Sequence, residues 1–371
     1  MNRLFTGTKN LFLSKQRTII SSTLIVASTI ILSRLFGFIR YRVLAGYFGK
    51  EELDIFFASF RIPDIVFELL ITGALTTSFV PIFIRYQKNK EDLDINISSI
   101  INITTGILFI LILVLFFAAD WIIPLITPGF TGEKIQSVVF YSKILLLGQL
   151  PFLVLSNVLT GLGQANKTFI ISSLAPVLYN VIIILVTVTF SSQHHLLAPI
   201  MGVVVGASLM FLMQIPLFYS SQFTYQAVIK FTQGLKDFYK LVVPRIVTVM
   251  VAQIDATIDL TLTTLLAPGS YTIFYLAQHL QLLPVSIIGI SFGQASLPYL
   301  TEVYQEKKHE EFRKIITESI LSILFLTLPI AAFFIFARTP LVRLFFGGDK
   351  FDWAATVQTA FTLSYFALAI P

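Results

Sequence analysis

Cysteine is absent from this 371-residue chain, which excludes disulfide scaffolds, thiolate metal sites and cysteine nucleophiles. Charge is scarce: Asp, Glu, Lys and Arg together make up 12% of the residues. So few ionisable groups cannot cover the surface of a water-soluble globule of this size. There are only four histidines, and neither an HExxH pair nor a glycine-rich phosphate loop occurs. His194-His195 reads as a polar turn rather than a ligand pair, and no enzymatic chemistry is expected. The start, Met1 to Lys9, lacks the short apolar region and small-residue cleavage site of a signal peptide, so the N-terminus is expected to be retained.

What is present points to a membrane. The chain is 56% hydrophobic, holds 36 Phe and has a mean hydropathy of +0.83. A bilayer-spanning helix needs about 20 apolar residues. Such stretches fall near 18–48, 55–84, 99–127, 137–163, 168–190, 197–221, 238–266, 270–300, 315–346 and 356–371. The expectation is therefore nine full spans and the start of a tenth. Several carry Pro or Gly (Pro63, Gly73, Pro151, Pro176, Pro216, Pro244, Pro284, Gly289, Pro329), breaks that are common in transporters. Basic residues collect in alternate loops: at Arg3, Lys9, Lys15 and Arg17, then around Lys88, Lys167, Lys236 and Lys308. The positive-inside rule thus predicts a cytoplasmic N-terminus. The charge runs at 85–98 and 301–314 read as solvated cytoplasmic loops, so the expected partner is a phospholipid membrane and not nucleic acid.

An internal repeat is visible. Tyr86-Gln87-Lys88-Asn89-Lys90-Glu91-Asp92 recurs as Tyr304-Gln305-Glu306-Lys307-Lys308-His309-Glu310, and Ser98-Ser99-Ile100 is echoed by Glu318-Ser319-Ile320. Each copy follows a span bearing two prolines, Pro63 and Pro81 in one and Pro284 and Pro298 in the other. Copies separated by an even number of spans form a parallel repeat about an axis along the membrane normal. The predicted fold is an all-α polytopic membrane protein of two parallel-repeat lobes, residues 1–221 with six helices and 222–371 with four, the last cut short. By the same pattern, two or more further helices are expected after Pro371.

Function is expected in the first two spans, where Arg34, Arg40, Arg42, Asp54, Arg61, Asp64 and Glu68 lie within otherwise apolar stretches. Ionisable groups are costly in hydrocarbon and usually mark a path for ions or charged substrate. Arg40 and Arg42, more than 20 residues into their span, also suit snorkelling to outer head groups. Arg61, Asp64, Glu68 and Thr72 recur every three to four residues and so share one helical stripe. Asp64 and Glu68 there either face a cavity or neutralise Arg34 or Arg40. In the seventh span Asp255 and Asp259 share a face; their oxygens suit a hard cation, or an ion pair with Arg245 or Arg338.

These residues carry a resemblance. Ser33-Arg34-Leu35-Phe36-Gly37-Phe38-Ile39-Arg40, Phe48-Gly49, Asp54-Ile55-Phe56-Phe57, Pro63, Gly73-Ala74 and Phe79-Val80-Pro81 resemble the opening signature of the MviN/MurJ family, lipid II flippases of the MOP exporter superfamily. Pro128-Gly129-Phe130, Gly161-Leu162-Gly163-Gln164, Ala175-Pro176 with Asn180, and Gln253-Ile254 look like the same family. The resemblance implies a cavity between two lobes that carries an undecaprenyl-pyrophosphate-linked saccharide outward across the bacterial plasma membrane for cell-wall synthesis. It implies substrate-binding roles for Arg34, Arg40 and Arg61, with Asp54, Glu68 and His279 at further site positions. A coupling sodium ion is implied at Asp259, with Asp255 beside it, and no other cofactor is expected. Guanidinium forks suit pyrophosphate oxygens.

The chain also departs from the family pattern. Asp64, Phe67, Glu68 and Thr72 stand where the family usually has Asn, two arginines and Glu, and Gln278-His279 stands in place of an Asp-Arg pair. Two function classes follow: a flippase of a polyprenyl-pyrophosphate-linked saccharide, or a non-transporting membrane scaffold of the same fold. Another MOP-type exporter is a third. Reporter fusions within the 85–98 and 222–236 loops are expected to read out on the cytoplasmic side; an external readout from both would invert the topology.

Overall fold

The computed structural model describes residues 19–69, 76–221 and 223–371. Among them the regular structure is all helical: α1 Ile19–Tyr47, α2 Lys50–Ser59, α3 Arg61–Phe67, α4 Thr76–Tyr86, α5 Lys90–Ile126, α6 Glu133–Gly148, α7 Leu150–Ala165, α8 Ile170–His194, α9 Leu197–Ser220, α10 Gln233–Thr264, α11 Ser270–Pro284, α12 Ser291–Gln305, α13 His309–Phe336, α14 Arg338–Phe346 and α15 Trp353–Ala367. A chain this apolar satisfies its backbone within each segment, and the helix is the conformation that does so.

Among the described residues, seven helical stretches are long and apolar enough to cross a membrane: Lys90–Ile126, Glu133–Ala165, Ile170–His194, Leu197–Ser220, Gln233–Thr264, Ser270–Gly293 and His309–Phe336. They coincide with the third to ninth expected spans. The other three expected spans fall outside this set. The first is a continuous 29-residue helix, α1, interrupted by three guanidinium groups. The second breaks at Phe60 into α2 and α3, with Pro63 in the first turn of α3, and its Gly73-Ala74 and Thr72 lie outside the described residues. The tenth, α15, is 15 residues long.

The described residues form two compact units, one running up to Leu44 and from Ile55 to Ala267, the other from Ala45 to Asp54 and from Pro268 to Pro371. This division differs from the lobes expected at 221/222, because α10 joins the first unit. Polar contacts run along its whole length. Gly234 N–H donates to Asn96 Oδ1 (3.0 Å), Arg85 pairs with Asp237 (2.6 Å), and Thr261 Oγ1 donates to the Ile126 carbonyl (3.0 Å).

Within the first unit α8 and α9 pack most extensively. Gly202 and Gly206, one turn apart on α9, let that helix lie against Ile183 and Tyr179 of α8, where a methyl group at either glycine would crowd the α8 backbone. The expectation of a solvated loop at 85–98 fits the exposed turn and charge run up to Asp92 and is corrected beyond it. α5 starts at Lys90, and Asp94, Asn96 and Ser98 are buried beneath the extended segment 223–232. Thr224 and Gln226 donate their N–H groups to Asp94 Oδ1 (2.8 Å) and Ser98 Oγ (2.9 Å), and Asn102 Nδ2 donates to the carbonyls of Gln226 and Val228. Polar side chains on this first part of α5 thus satisfy a strap of backbone that would otherwise lack partners.

Candidate substrate-binding site

A cluster of charge within the apolar helices of the first unit gathers on α3 and the π-type turn that follows it at residues 68–69. Arg61, Asp64 and Glu68 share a stripe, as their spacing predicts. Arg61 is buried, 8% exposed, and reaches across to α10. Its Nε donates to Thr257 Oγ1 (3.0 Å), and its Nη2 donates to both the carbonyl and the side-chain oxygen of Gln253 (2.7 Å each). Asp64 feels the charges of Arg61, Glu68 and, from α1, Arg40. Arg40 lies over the Tyr41 ring, 4.8 Å from its centroid. Tyr179 of α8 completes the cluster: it interacts with Arg40 and Asp64 and its hydroxyl accepts from Gln149 Nε2 (3.2 Å). Four of the charged groups singled out in the sequence, Arg40, Arg61, Asp64 and Glu68, are therefore brought together.

Arg34 is not part of that cluster. Six residues along a helix is a rotation of about 240°, so Arg34 and Arg40 leave α1 on different sides. Arg34 is exposed and lines a separate cavity of about 410 Å³ with Thr29, Ser33, Thr160, Gln164 and Ser172. On α10, Asp255 and Asp259 lie on the side opposite Gln253 and Thr257, so they face away from Arg61. Asp255 is exposed and Asp259 half-buried. Among the described residues no group of three or more His, Cys, Asp or Glu side chains could hold a metal ion.

Asp54 and His279 belong to the second unit. Asp54 is 1% exposed, and its carboxylate caps the start of α11. Oδ2 accepts from Gly269 N–H (2.6 Å); Oδ1 accepts from Thr272 N–H (2.8 Å) and Thr272 Oγ1 (2.9 Å). Gly269 itself sits at φ +89°, a left-handed conformation that favours glycine. The helix N-terminus, with its unanswered N–H groups and positive dipole end, is a favourable place for this carboxylate. On α11, His279 stacks on the Tyr275 ring (4.0 Å), and its Nδ1 meets the Tyr275 carbonyl at 2.8 Å. A carbonyl only accepts, so Nδ1 carries the hydrogen.

A family profile described as "Lipid II flippase MurJ" matches residues 44–371. The chain belongs to this family. A "Probable lipid II flippase MurJ" of Buchnera aphidicola subsp. Acyrthosiphon pisum is 26% identical over 349 residues, which is 92% of this chain and 68% of that protein. A solved structure of lipid II flippase MurJ in an inward closed conformation is 26% identical and aligns with a TM-score of 0.79 over 94% of this chain and 73% of that one. A MATE multidrug transporter of the MOP superfamily in an inward-facing conformation is 16% identical, with a TM-score of 0.74 over 94% of this chain and 81% of that one, which shows a shared fold. The protein is a multi-pass bacterial inner-membrane protein, and its relatives are transporters rather than enzymes.

Two members of the expected site take on structural work in this MurJ-family chain. Asp54, expected at the substrate, has its carboxylate committed to capping α11, and Arg61 has its Nε and Nη2 committed to α10. Gln253 and Thr257 as the partners of Arg61, and Tyr179 beside Arg40 with Gln149 donating to it, were not anticipated. Their signal in the sequence was an amide or hydroxyl inside an apolar helix, where such groups commonly bridge between helices. Asp54→Ala is expected to cost about 2–3 kcal/mol through loss of the cap. The measurement is thermal unfolding of the detergent-solubilised protein, with Asp54→Asn intermediate; an unchanged midpoint in both variants would refute the capping role.

Proposed function

We propose that the protein flips lipid II, or a related polyprenyl-pyrophosphate-linked saccharide, outward across the plasma membrane. The observation that carries this reading is the match to the lipid II flippase family over residues 44–371. Arg40 in the α3 cluster and Arg34 in its own cavity supply permanently charged forks suited to pyrophosphate oxygens. Arg61 acts by positioning, holding α3 against α10 while adding positive charge beside Arg40. The N-terminus lies in the cytoplasm, where the precursor is loaded. A scaffold reading rests on one observation: two carboxylates sit among the arginines, so the cluster carries no excess positive charge.

Rescue of a flippase-depleted bacterium by the gene tests the reading, and failure of an expressed, membrane-inserted protein to rescue favours the scaffold. Arg34→Ala and Arg40→Ala are expected to abolish rescue and lipid II translocation in proteoliposomes while leaving membrane insertion intact. Each charge-assisted hydrogen bond lost is worth about 1.5–3 kcal/mol, roughly tenfold or more in affinity. Arg34→Lys should recover part, because an ammonium cannot reproduce the bidentate fork. Full activity in both alanine variants would make these arginines structural.

Sodium coupling is proposed at Asp259, with Asp255 one turn away on the same face of α10. Carboxylate and carbonyl oxygens are the ligands a hard cation prefers. Asp259→Asn is expected to weaken sodium binding to the purified protein about tenfold or more, the loss of a charged ligand. Sodium affinity equal to that of the wild type would remove Asp259 from the site.

A further inference from the structure

The α3 cluster holds two cations and two carboxylates: Arg40, Arg61, Asp64 and Glu68. We propose that the Asp64–Glu68 pair takes up a proton when an anionic head group binds at Arg40, so that loading of the site is coupled to protonation. This rests on the flippase reading and names a coupling ion for that same site, independent of the Asp259 position.

The argument is one of charge balance in an apolar setting. With both carboxylates ionised, the four side chains cancel, and the site has no net charge with which to attract a pyrophosphate. A pyrophosphate diester brings two negative charges toward Arg40, and with them repulsion from Asp64 and Glu68. Charges interact more strongly where water is excluded than in solution, and half-buried Asp64 lies among apolar helices beside Phe67, which packs on Leu153, Ala175 and Met210. Two carboxylates one turn apart on a single face repel each other, and the arriving anion adds to that repulsion. A proton placed on the pair removes one of the repelling charges and leaves the site with a net positive charge that an anion can answer.

Among the described residues, the charged groups around Asp64 are those of the cluster itself. On its own helix Asp64 faces Arg61 and Glu68; from α1 it meets Arg40, with Tyr41 behind it; from α8 it meets Tyr179. Arg61 directs its Nε and Nη2 to Thr257 and Gln253 of α10, whose own Asp255 and Asp259 lie on the far side. α7 contributes no titratable side chain, and Lys143 of α6 is paired with Asp120. Asp64 and Glu68 are therefore the groups in this cluster able to exchange a proton with the solution that reaches the site.

The test is calorimetric binding of lipid II to the purified protein in buffers of differing ionisation enthalpy, repeated from about pH 8 to about pH 6, across the range in which perturbed carboxylates titrate. Uptake of a proton makes the apparent heat depend on the buffer. It also raises affinity as pH falls, by up to about tenfold per pH unit for a single proton. That dependence is confined to the interval between the pair's proton affinities in the empty and the loaded site. Asp64→Asn combined with Glu68→Gln is expected to abolish both the buffer dependence and the pH dependence of affinity. The wild-type buffer series needs no variant, so a poorly folded double variant does not blunt the test. Binding of lipid II with no proton uptake would overturn the proposal and leave the flippase reading standing. No binding of lipid II at any pH would overturn both.

Discussion

A guanidinium group inside an apolar helical assembly must have its N–H groups answered, and much of this structure follows from how Arg61 meets that requirement. Its partners, Gln253 and Thr257, stand on α10, 192 and 196 residues further along the chain. Leaving a buried charge without partners costs far more than making the bonds gains. The bonds therefore fix α10 against α3 at mid-helix. At one end Asp237 and the Asn96–Gly234 contact extend the seam; at the other Thr261 and Thr264 meet Ile126 and Gly129. Apolar side chains gain little from meeting one another in lipid, so a polar seam of this kind decides which helices belong together. It explains why α10, first helix of the second repeat by sequence, is part of the first compact unit.

The same requirement organises the charges around Arg40. Two arginines on neighbouring helices would repel, and Asp64 and Glu68 on the α3 stripe offset them. Tyr179 interacts with Arg40 and Asp64, and its hydroxyl accepts from Gln149. Arg34, turned to another side of α1, stands outside this balance and faces hydroxyl and amide groups instead. Two of the three arginines on this helix thus stand in different electrostatic settings, Arg40 beside carboxylates and Arg34 apart from them. For anion recognition that difference matters more than the number of arginines.

How much of this was legible in the sequence depended on the range of the interaction. Spans three to nine follow from long, predominantly apolar runs, because such runs leave the backbone no alternative to the helix. The stripe of Arg61, Asp64 and Glu68 was readable from spacing, since neighbours on a helix are set by the backbone alone. Asp54 was not: its hydrogen-bond donors lie 215 and 218 residues away, and nothing local distinguishes a capping carboxylate from a substrate-facing one. Asp94, Asn96 and Ser98 likewise resembled a solvated run because the strap that buries them comes from residues 223–232. Polar residues beside a charge run look exposed until the distant segment that covers them is known.

The repeat separates what the fold needs from what the site adds. With Pro63 aligned on Pro284, Gly49 before α2 falls close to Gly269 before α11, and the π-type turn at 68–69 falls within the one at 285–290. The backbone irregularity is thus present in both copies. Its side chains are not shared: Arg61, Asp64 and Glu68 correspond to Leu282, Val285 and Gly289. A π-type turn that forms equally well with apolar residues does not depend on charge to exist. The charged stripe of the first copy is consequently no requirement of the turn that carries it. π-type turns are often kept at functional sites because they widen a helix locally and re-aim its side chains. In the first copy the turn carries Glu68 one helical turn beyond Asp64, which lies within reach of both Glu68 and Arg40, and the cost of placing these ionisable groups in an apolar helix assembly is offset only by what they do together.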